Sequence, residues 1–467
     1  MKYIDNKAED VKIAYIGGGS RGWAWGFMSD LAAADDMCGT VFLYDIDKEA
    51  AKRNEVIGNN IKNTKGCKSV WSYKAEDNIA GALKGADFVV ISILPGTFDE
   101  MESDVHMPEK YGIYQSVGDT SGAGGIVRAL RTIPMFEEIA ENIKKYCPDA
   151  WVINYTNPMT MCVRTLYKVF PEIKAFGCCH EVFGTQKVLM TALEEMRGIK
   201  DVKREDIKVN VVGVNHFTWL TKAQYRDMDL FPVYREFAEK YKDTGYLRDV
   251  DENWMNRFFK GSEKVKIDLF LRYGYIAAAG DRHLAEFCPG SWYLKNRETV
   301  ENWGFALTPV SWRKEDLHRR LEKSERLYTG EEKFELKETG EEGVQQIRAL
   351  LGLRDLVTNV NIPNYGQIPN LPIGAVVETN ACFRANSLNP VFAGNIPREI
   401  YPLVSRVCGE QETVVNSALA RDIDGVFNAF ASDANMDIPV SQARELFDAM
   451  LENTKKYLSV YFEKNNR

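Results

Sequence analysis

Two cysteines, a histidine and a glutamate stand together in GCCHE (177–181), in a chain with only five histidines among 467 residues. Thiolate and imidazole are side chains that hold borderline transition metals, so the run raises the prospect of metal chemistry. Three further segments carry polar groups of the right kind. INYTNP (153–158) contains Asn157, VNHFTW (214–219) contains His216, and AAAGDRHLAEF (277–287) contains Asp281, Arg282, His283 and Glu286. Cys179 and His216 would furnish two metal ligands, with substrate oxygens completing the shell. Each residue also has a plainer reading. Free cysteine is among the most buried residue types, so either thiol alone fits a core, Cys178 above all. His216 could cap a turn, Asp281 could be a solvated acid after a glycine, and Asn157 could open a turn before Pro158. Their company favours chemistry: His180, His216 and His283 all fall in apolar, glycine-bearing strand ends, where a polar group needs a purpose.

A second kind of chemistry is written near the start. Gly17, Gly19 and Gly22 in IGGGSRG match G-x-G-x-x-G, with Gly18 and Ser20 between them. The motif alone is weak, but it follows an apolar run and leads into WAWGFMSDLAAA, a plausible helix. Such a loop lets a pyrophosphate approach backbone N–H groups at a helix N-terminus. Asp45 lies 23 residues beyond Gly22, at the end of the next apolar run. An acid there grips ribose hydroxyls and disfavours a 2′-phosphate, so the expected cofactor is NAD.

These residues need elements to position them. VKIAYI (11–16), TVFLYD (40–45), DFVVISI (87–93), AWVINY (150–155) and KAFGC (174–178) read as strands, separated by helical patterns such as MFEEIAENIKKY (135–146). Near-continuous apolar strands alternating with helices predict an α/β fold with an N-terminal Rossmann-type, doubly wound parallel sheet of the lactate/malate dehydrogenase kind. In such a sheet ligands sit beyond the carboxyl ends of the strands, which is where Asn157, Cys179 and His180 fall. After about residue 208 the rhythm changes. VNVVGVNHFTWLTKA reads as a long strand or hairpin, 313–343 as a solvated charged helix and loop, and 362–372 as irregular. Two domains are expected: 1–208 binding NAD, and 209–467 as an α+β domain for substrate, metal and oligomerisation.

The bulk composition excludes several classes. The chain is 45% hydrophobic and 27% charged, with net charge −8 and pI near 5.5. No basic stripe suggests nucleic acid, and no apolar run reaches the ~20 residues of a membrane span. The acidic N-terminus does not read as a signal peptide, and nine scattered cysteines fit free thiols. A cytoplasmic location is expected. A lactate- or malate-type dehydrogenase would share the glycine loop, yet no GEHGD-like segment is present and that class needs no metal.

The motifs together resemble glycoside hydrolase family 4. The likeness runs through IGGGS, VGDTSGAGGIVRALR (117–131), NYTNP, CHEV, NHF and NIPNYGQIPNLPIGAVVE (361–378). It implies a glycosidase that does not use the usual two carboxylates. NAD⁺ removes hydride from C3 of the sugar, a divalent metal (usually manganese) stabilises the enediolate formed on C2 deprotonation, and the glycosidic oxygen is eliminated from C1. Water then adds and the hydride returns. By the same resemblance Cys179 and His216 match metal ligands, and Asn157 matches a substrate contact. His180 stands where some members carry the acid for the leaving oxygen, Asp281 where some carry the base for C2, and Asp119, in the glycine-rich VGDTSGAGG loop, is expected as an acid/base or substrate contact. Members form homodimers or homotetramers.

The resemblance also bears on the sugar. FDEMESDVHMPEKYG places Met101 where 6-phosphoglycosidases carry a phosphate-binding arginine, and its acids would repel a phosphate. GIYQSVGDT, GCCHEVFGTQK, NHFTWLTKA and AAGDRHLAEF are most similar to the α-galacturonidases. Arg282 or His283 would then bind the uronate carboxylate. A neutral α-glucoside or α-galactoside, or a glucuronide, with a structural Arg282, is the alternative within the family.

Overall fold

The computed structural model describes residues 1–247, 258–259, 261–337 and 339–462. The apolar runs of the first half form β1 (Lys2–Ile4), β2 (Lys7–Ile16), β3 (Met37–Tyr44), β4 (Ser72–Ala75), β5 (Phe88–Ile91), β6 (Trp151–Asn154) and β7 (Lys174–Gly177). All of β5 and most of β6 and β7 are buried, as strands covered on both faces must be. The parallel order is β4-β3-β2-β5-β6-β7, so progression reverses between β2 and β5. This is the Rossmann arrangement expected from the alternation, with its ligand crevice at the reversal. Phe27 and Leu31 of the helix Trp23–Ala33 cover one face. Phe136 and Ile143 of the helix Gly122–Tyr146, with Leu166 of Met159–Val169, cover the other.

The second half opens with the expected hairpin, β8 (Ile207–Val214) and β9 (Phe217–Tyr225), which β10 (Met228–Asp229) and β11 (Ile276–Ala277) complete into a four-stranded antiparallel sheet. The chain then returns to the first sheet. β12 (Leu356–Pro363) lies antiparallel to β7 with Asn361 opposite Gly177, and β13 (Val376–Arg384) and β14 (Ser387–Pro390) extend the edge. Residues 1–208 and 209–467 therefore share one ten-stranded sheet.

The charged segment 313–343 is for the most part the solvated helix and loop expected. Its helix starts earlier, Val310–Thr329, and Val310 and Trp312 are buried. Val310 packs on Met101 and Val105, so the first turn is pinned to the helix Phe98–His106. Further on, Ser29 donates to Lys337 O (2.9 Å), and Thr339 N donates to Asp30 (3.2 Å), so the loop lies along the glycine-loop helix. Apolar anchors and these bonds, not net charge, decide its place.

One buried ion pair joins the helices that flank the crevice. Arg131 donates to both oxygens of Asp104, at 3.0 and 2.5 Å, with both side chains fully buried. Removing one partner strands the other charge. Arg131→Met is expected to cost about 3–5 kcal/mol in urea unfolding, and Asp104→Leu/Arg131→Met to recover most of it. A single-variant loss under about 1 kcal/mol, as for a surface pair, would refute this account.

Candidate active site

The loop after β2 is shaped by lack of room. Gly17 has φ +94° and a side chain there would strike Ser92 O, so glycine is required. A Cβ on Gly19 would lie 2.7 Å from Ala50 Cβ and 2.9 Å from Asp45 Oδ2. Asp45, at the end of β3, accepts from Gly19 N (2.8 Å) and Asp47 N (2.9 Å). It thus braces the loop, a role the sequence did not suggest. Asn54 adds a second brace, donating to Gly18 O and Ser20 O at 2.8 and 3.0 Å. The helix that follows has Gly22 at its N-cap, no side-chain cap and no acid in its first turn. Its positive end is left available to an anion.

A cavity of about 1290 Å³ runs from Trp23 beside this loop to Asp281 in the second half. Asn157, Cys179, His180, His216, Asp119, Asp281, Arg282 and His283 all line it. The fold thus brings together eight of the nine site residues expected outside the glycine loop; Asp45, like Gly17, Gly18, Gly19, Ser20 and Gly22 of the loop, is not among the residues lining this cavity. After β6, Thr156 N donates to Asn154 Oδ1 (3.0 Å) in a side-chain-closed turn, and Thr156 Oγ1 accepts from Ile93 N (2.9 Å). Arg128 Nε donates to Asn157 O (3.0 Å), which leaves the buried Asn157 Oδ1 without a partner. After β7, Cys178 N donates to Asn154 O (3.0 Å). Cys178 packs in the apolar core, and it too lines the cavity. Cys179 touches Met159, Val163 and Val376 yet also faces the cavity.

His216 sits in the β8–β9 turn, and its Nδ1 lies 3.1 Å from Thr120 Oγ1. Its ring packs on that of His283 at 4.3 Å between centroids. Burial, with His283 adding, pushes its pKa down to about 3, so it is neutral, the form that binds metals. Burial also raises the Cys179 thiol well above its ordinary range, and Glu378 and Glu181 raise it further. Only a nearby cation would make it a thiolate. Among the described residues no three His, Cys, Asp or Glu side chains are already gathered as a closed metal shell.

His180 caps the helix Glu181–Arg197, and its Nδ1 lies 2.6 Å from Glu341 Oε1. That hydrogen bond raises it to about 9; the ring is half exposed, so water tempers the effect. Asp119 takes a bond from Thr120 Oγ1 (2.8 Å). Burial works against its charge, but Arg128, His283, His216 and Arg313 hold it down at about 2. Asp281 begins the helix Asp281–Phe287 and accepts from Lys266 N (3.1 Å), while its other oxygen has no partner. Burial, then Glu263, pushes it up to about 7. Arg282 donates to Ala306 O (3.2 Å), Ser116 O (2.8 Å) and Thr308 Oγ1, and stacks over Phe259. His283 Nε2 lies 3.6 Å from Glu181, and its buried Nδ1 is unpartnered.

Sequence reading passed over four residues. Glu181 was in the quoted stretch but resembled an ordinary first-turn acid. It accepts from Gly280 N (2.9 Å), tying the two halves together, and His283, His216 and His180 hold it at about 2 against burial. Glu286 was named without a role; its Oε1 accepts from Val117 N (2.7 Å) and Gly118 N (2.9 Å), shaping the loop that carries Asp119. Glu378 stood at the end of an apolar run and accepts from Asn215 (3.0 Å) and Asn359 (2.6 Å). Arg313 was hidden in the charged helix. The acids of 98–106 are also less repulsive than their sequence implies: Lys314 pairs with Asp99 and Glu102, Lys456 with Glu100, and Arg131 with Asp104.

The fold and this lined crevice define a protein of nucleotide-binding fold with a large cavity bearing titratable groups beside the glycine-loop helix. Comparison makes the class specific. The sequence pattern described as "Family 4 glycosyl hydrolase" matches residues 12–195, and that of its C-terminal domain matches 211–436. An α-galacturonidase of Thermoanaerobacterium saccharolyticum is 65% identical over 98% of both chains. A crystal structure from Bacillus subtilis, described as a glucosidase, superposes with TM-score 0.90 at 52% identity, covering 95% of this chain and 100% of that one. A 6-phospho-α-glucosidase from gut microorganisms, solved with NAD and Mn²⁺, gives TM-score 0.78 at 21% identity over 97% and 99%. The chain belongs to family 4 of the glycosyl hydrolases.

Glu378 offers a check on this geometry. Glu378→Leu strands the buried amides of Asn215 and Asn359, each expected to cost about 1–3 kcal/mol. Glu378→Gln keeps one acceptor and should lose clearly less in urea unfolding. Equal stability of the two variants would mean that the asparagines find other partners.

Proposed function

We propose that this glycoside hydrolase releases terminal α-galacturonosyl residues from small oligogalacturonates, using NAD and a divalent cation such as Mn²⁺. What supports this most is the 65% identity, over nearly the whole chain, to a protein named as an α-galacturonidase. The cavity adds to it: about 1290 Å³ exceeds the usual volume for one small ligand and leaves space for a nucleotide end and a sugar together. The residues fit both groups. The glycine loop has no room for side chains and ends at an uncapped helix N-terminus. Cys179 and a neutral His216 present a thiol and an imidazole to the cavity, with the orphaned Asn157 Oδ1 on the same wall.

Bound there, NAD supplies a reversible hydride acceptor for C3 and the cation supplies the charge that acidifies the C2 proton. The chain's own groups handle the protons. His180, charged at neutral pH, gives one to the glycosidic oxygen, and Asp281, with one free oxygen and a raised pKa, takes the one on C2. Asn157 binds a sugar hydroxyl, and His283 and Arg282 border the same space. Asp119 stays ionised beside His216 and His283 as a substrate contact or proton carrier. Asp45 and the loop Gly17, Gly18, Gly19, Ser20, Gly22 hold the dinucleotide. Residues 1–208 act as the NAD-binding part and 209–467 as the part for substrate, metal and assembly. The enzyme works in the cytoplasm as a homodimer or homotetramer; nine unbridged cysteines agree with a reducing compartment. Among the described residues no helix is long and apolar enough to cross a membrane.

A panel of p-nitrophenyl α-glycosides with NAD and Mn²⁺ tests the reading. The galacturonide should be cleaved fastest, with deuterium entering C2 in heavy water and no net NADH at 340 nm. Accumulating NADH would instead mark a dehydrogenase. Cys179→Ser and His216→Ala should lose the metal-dependent rate yet still bind NAD.

The pH profile tests Asp281. A base must be ionised, so the rate should rise with pH through about 7. Glu263→Gln removes a charge that raises Asp281 and leaves Lys266, which lowers it. The rising limb should therefore move to lower pH; an unmoved limb would assign it to another group.

A further inference from the structure

Two arginines line the cavity, and only one of them is occupied. Arg282 spends Nε and Nη2 on Ala306 O, Ser116 O and Thr308 Oγ1, and its face on Phe259. It holds the loop at 116 against the segment at 306–308. Arg313 also lines the cavity, from the first turn of the helix Val310–Thr329, but it has no hydrogen bond or ion pair among the described residues. The acids that act on its charge are Asp119, Asp316 and Glu286, and among the described residues none forms an ion pair with it. Asp119 accepts from Thr120 Oγ1 (2.8 Å), Asp316 binds Arg320 Nε (2.6 Å), and Glu286 Oε1 accepts two backbone amides. A guanidinium in a cavity wall without an anion is costly to desolvate. Its planar pair of N–H donors suits a carboxylate, which accepts both at once. The helix's first turn holds no acid that would compete. Nucleotide phosphate does not need it, because the uncapped N-terminus of the helix after the glycine loop is a separate place for an anion.

We propose that Arg313, and not Arg282, receives the carboxylate of the substrate and so selects uronides over neutral sugars. This rests on the uronide reading above. Arg282 is a positioning residue for the Val117–Thr120 loop.

The test is binding of D-galacturonate and D-galactose by titration calorimetry, paired with turnover of the two p-nitrophenyl α-glycosides. Wild-type protein should favour galacturonate. Arg313→Met should lose about 10- to 100-fold in galacturonate affinity and in kcat/KM for the galacturonide, mainly through KM. Galactose binding should change little, and Arg313→Lys should restore part of the loss. An unchanged urea midpoint shows that the variants fold. If Arg313→Met keeps the wild-type preference, the inference falls while the uronide reading stands. If it slows both sugars equally and displaces the pH profile, Arg313 acts through Asp119 and the inference also falls. If wild type does not prefer galacturonate, the uronide reading fails and takes the inference with it.

Discussion

Glu378 is almost fully buried, and its carboxylate is shared between Asn215, in the turn that carries His216, and Asn359 on β12. Asn359 in turn donates to Cys179 O (3.1 Å). One carboxylate therefore fastens the thiol's backbone, the imidazole's turn and the returning edge of the sheet. A buried acid with unfilled acceptors is costly, so losing either amide weakens the arrangement. The two candidate metal ligands come from different halves of the chain, and this shared contact relates their positions. Gly280 N on Glu181 makes a second fastening of the same kind, and Glu286 on the amides of Val117 and Gly118 a third. In each case an acid from one segment holds another, through side-chain amides at Glu378 and through backbone N–H groups at Glu181 and Glu286, and the cavity wall follows.

The electrostatics of the wall come from neighbours more than from residue type. His180 and His216 face the same cavity, yet one is held charged by Glu341 and the other kept neutral by burial and by His283. Asp119 and Asp281 are both aspartates, and they sit about five units apart, near 2 and near 7. Groups split in this way can act as acid and base at one pH. The Cys179 thiol stays protonated unless a cation arrives, so metal binding there must release a proton and tighten as pH rises.

Much of this was legible in the sequence because it is local. The glycine loop, the apolar strands and the polar strand ends are each read within a few residues, and the parallel, doubly wound class of the sheet follows from their alternation with helices. The return of β12–β14 to the first sheet was not legible, since nothing near Asn361 says that it will lie opposite Gly177. Glu378 ends an apolar run and looked like its boundary; only tertiary packing makes it a hub. Arg313 sits in a run of charges where every residue reads as solvated. Its position is set by Val310 and Trp312 beside it, which go inward and take the first turn with them.

That same turn bears on the charge of the ligand. Adjacent cations on it part company: Lys314 reaches Asp99 (2.7 Å) and Glu102 on the neighbouring helix, and Arg313 faces the cavity. The acids of 98–106 are thus neutralised by cations outside the cavity and neither repel nor attract a ligand strongly. On this wall Arg313, without an ion pair among the described residues, stands against an ionised Asp119, and Lys187 also lines the cavity. A single guanidinium matches the one negative charge of a carboxylate. A phosphate dianion would bring an unmatched second charge towards Asp119, in a setting too poorly hydrated to screen it. If Arg313 takes the carboxylate as proposed, discrimination against phosphorylated sugars follows from this charge balance and not from the acidity of the helix beside it, whose acids are paired.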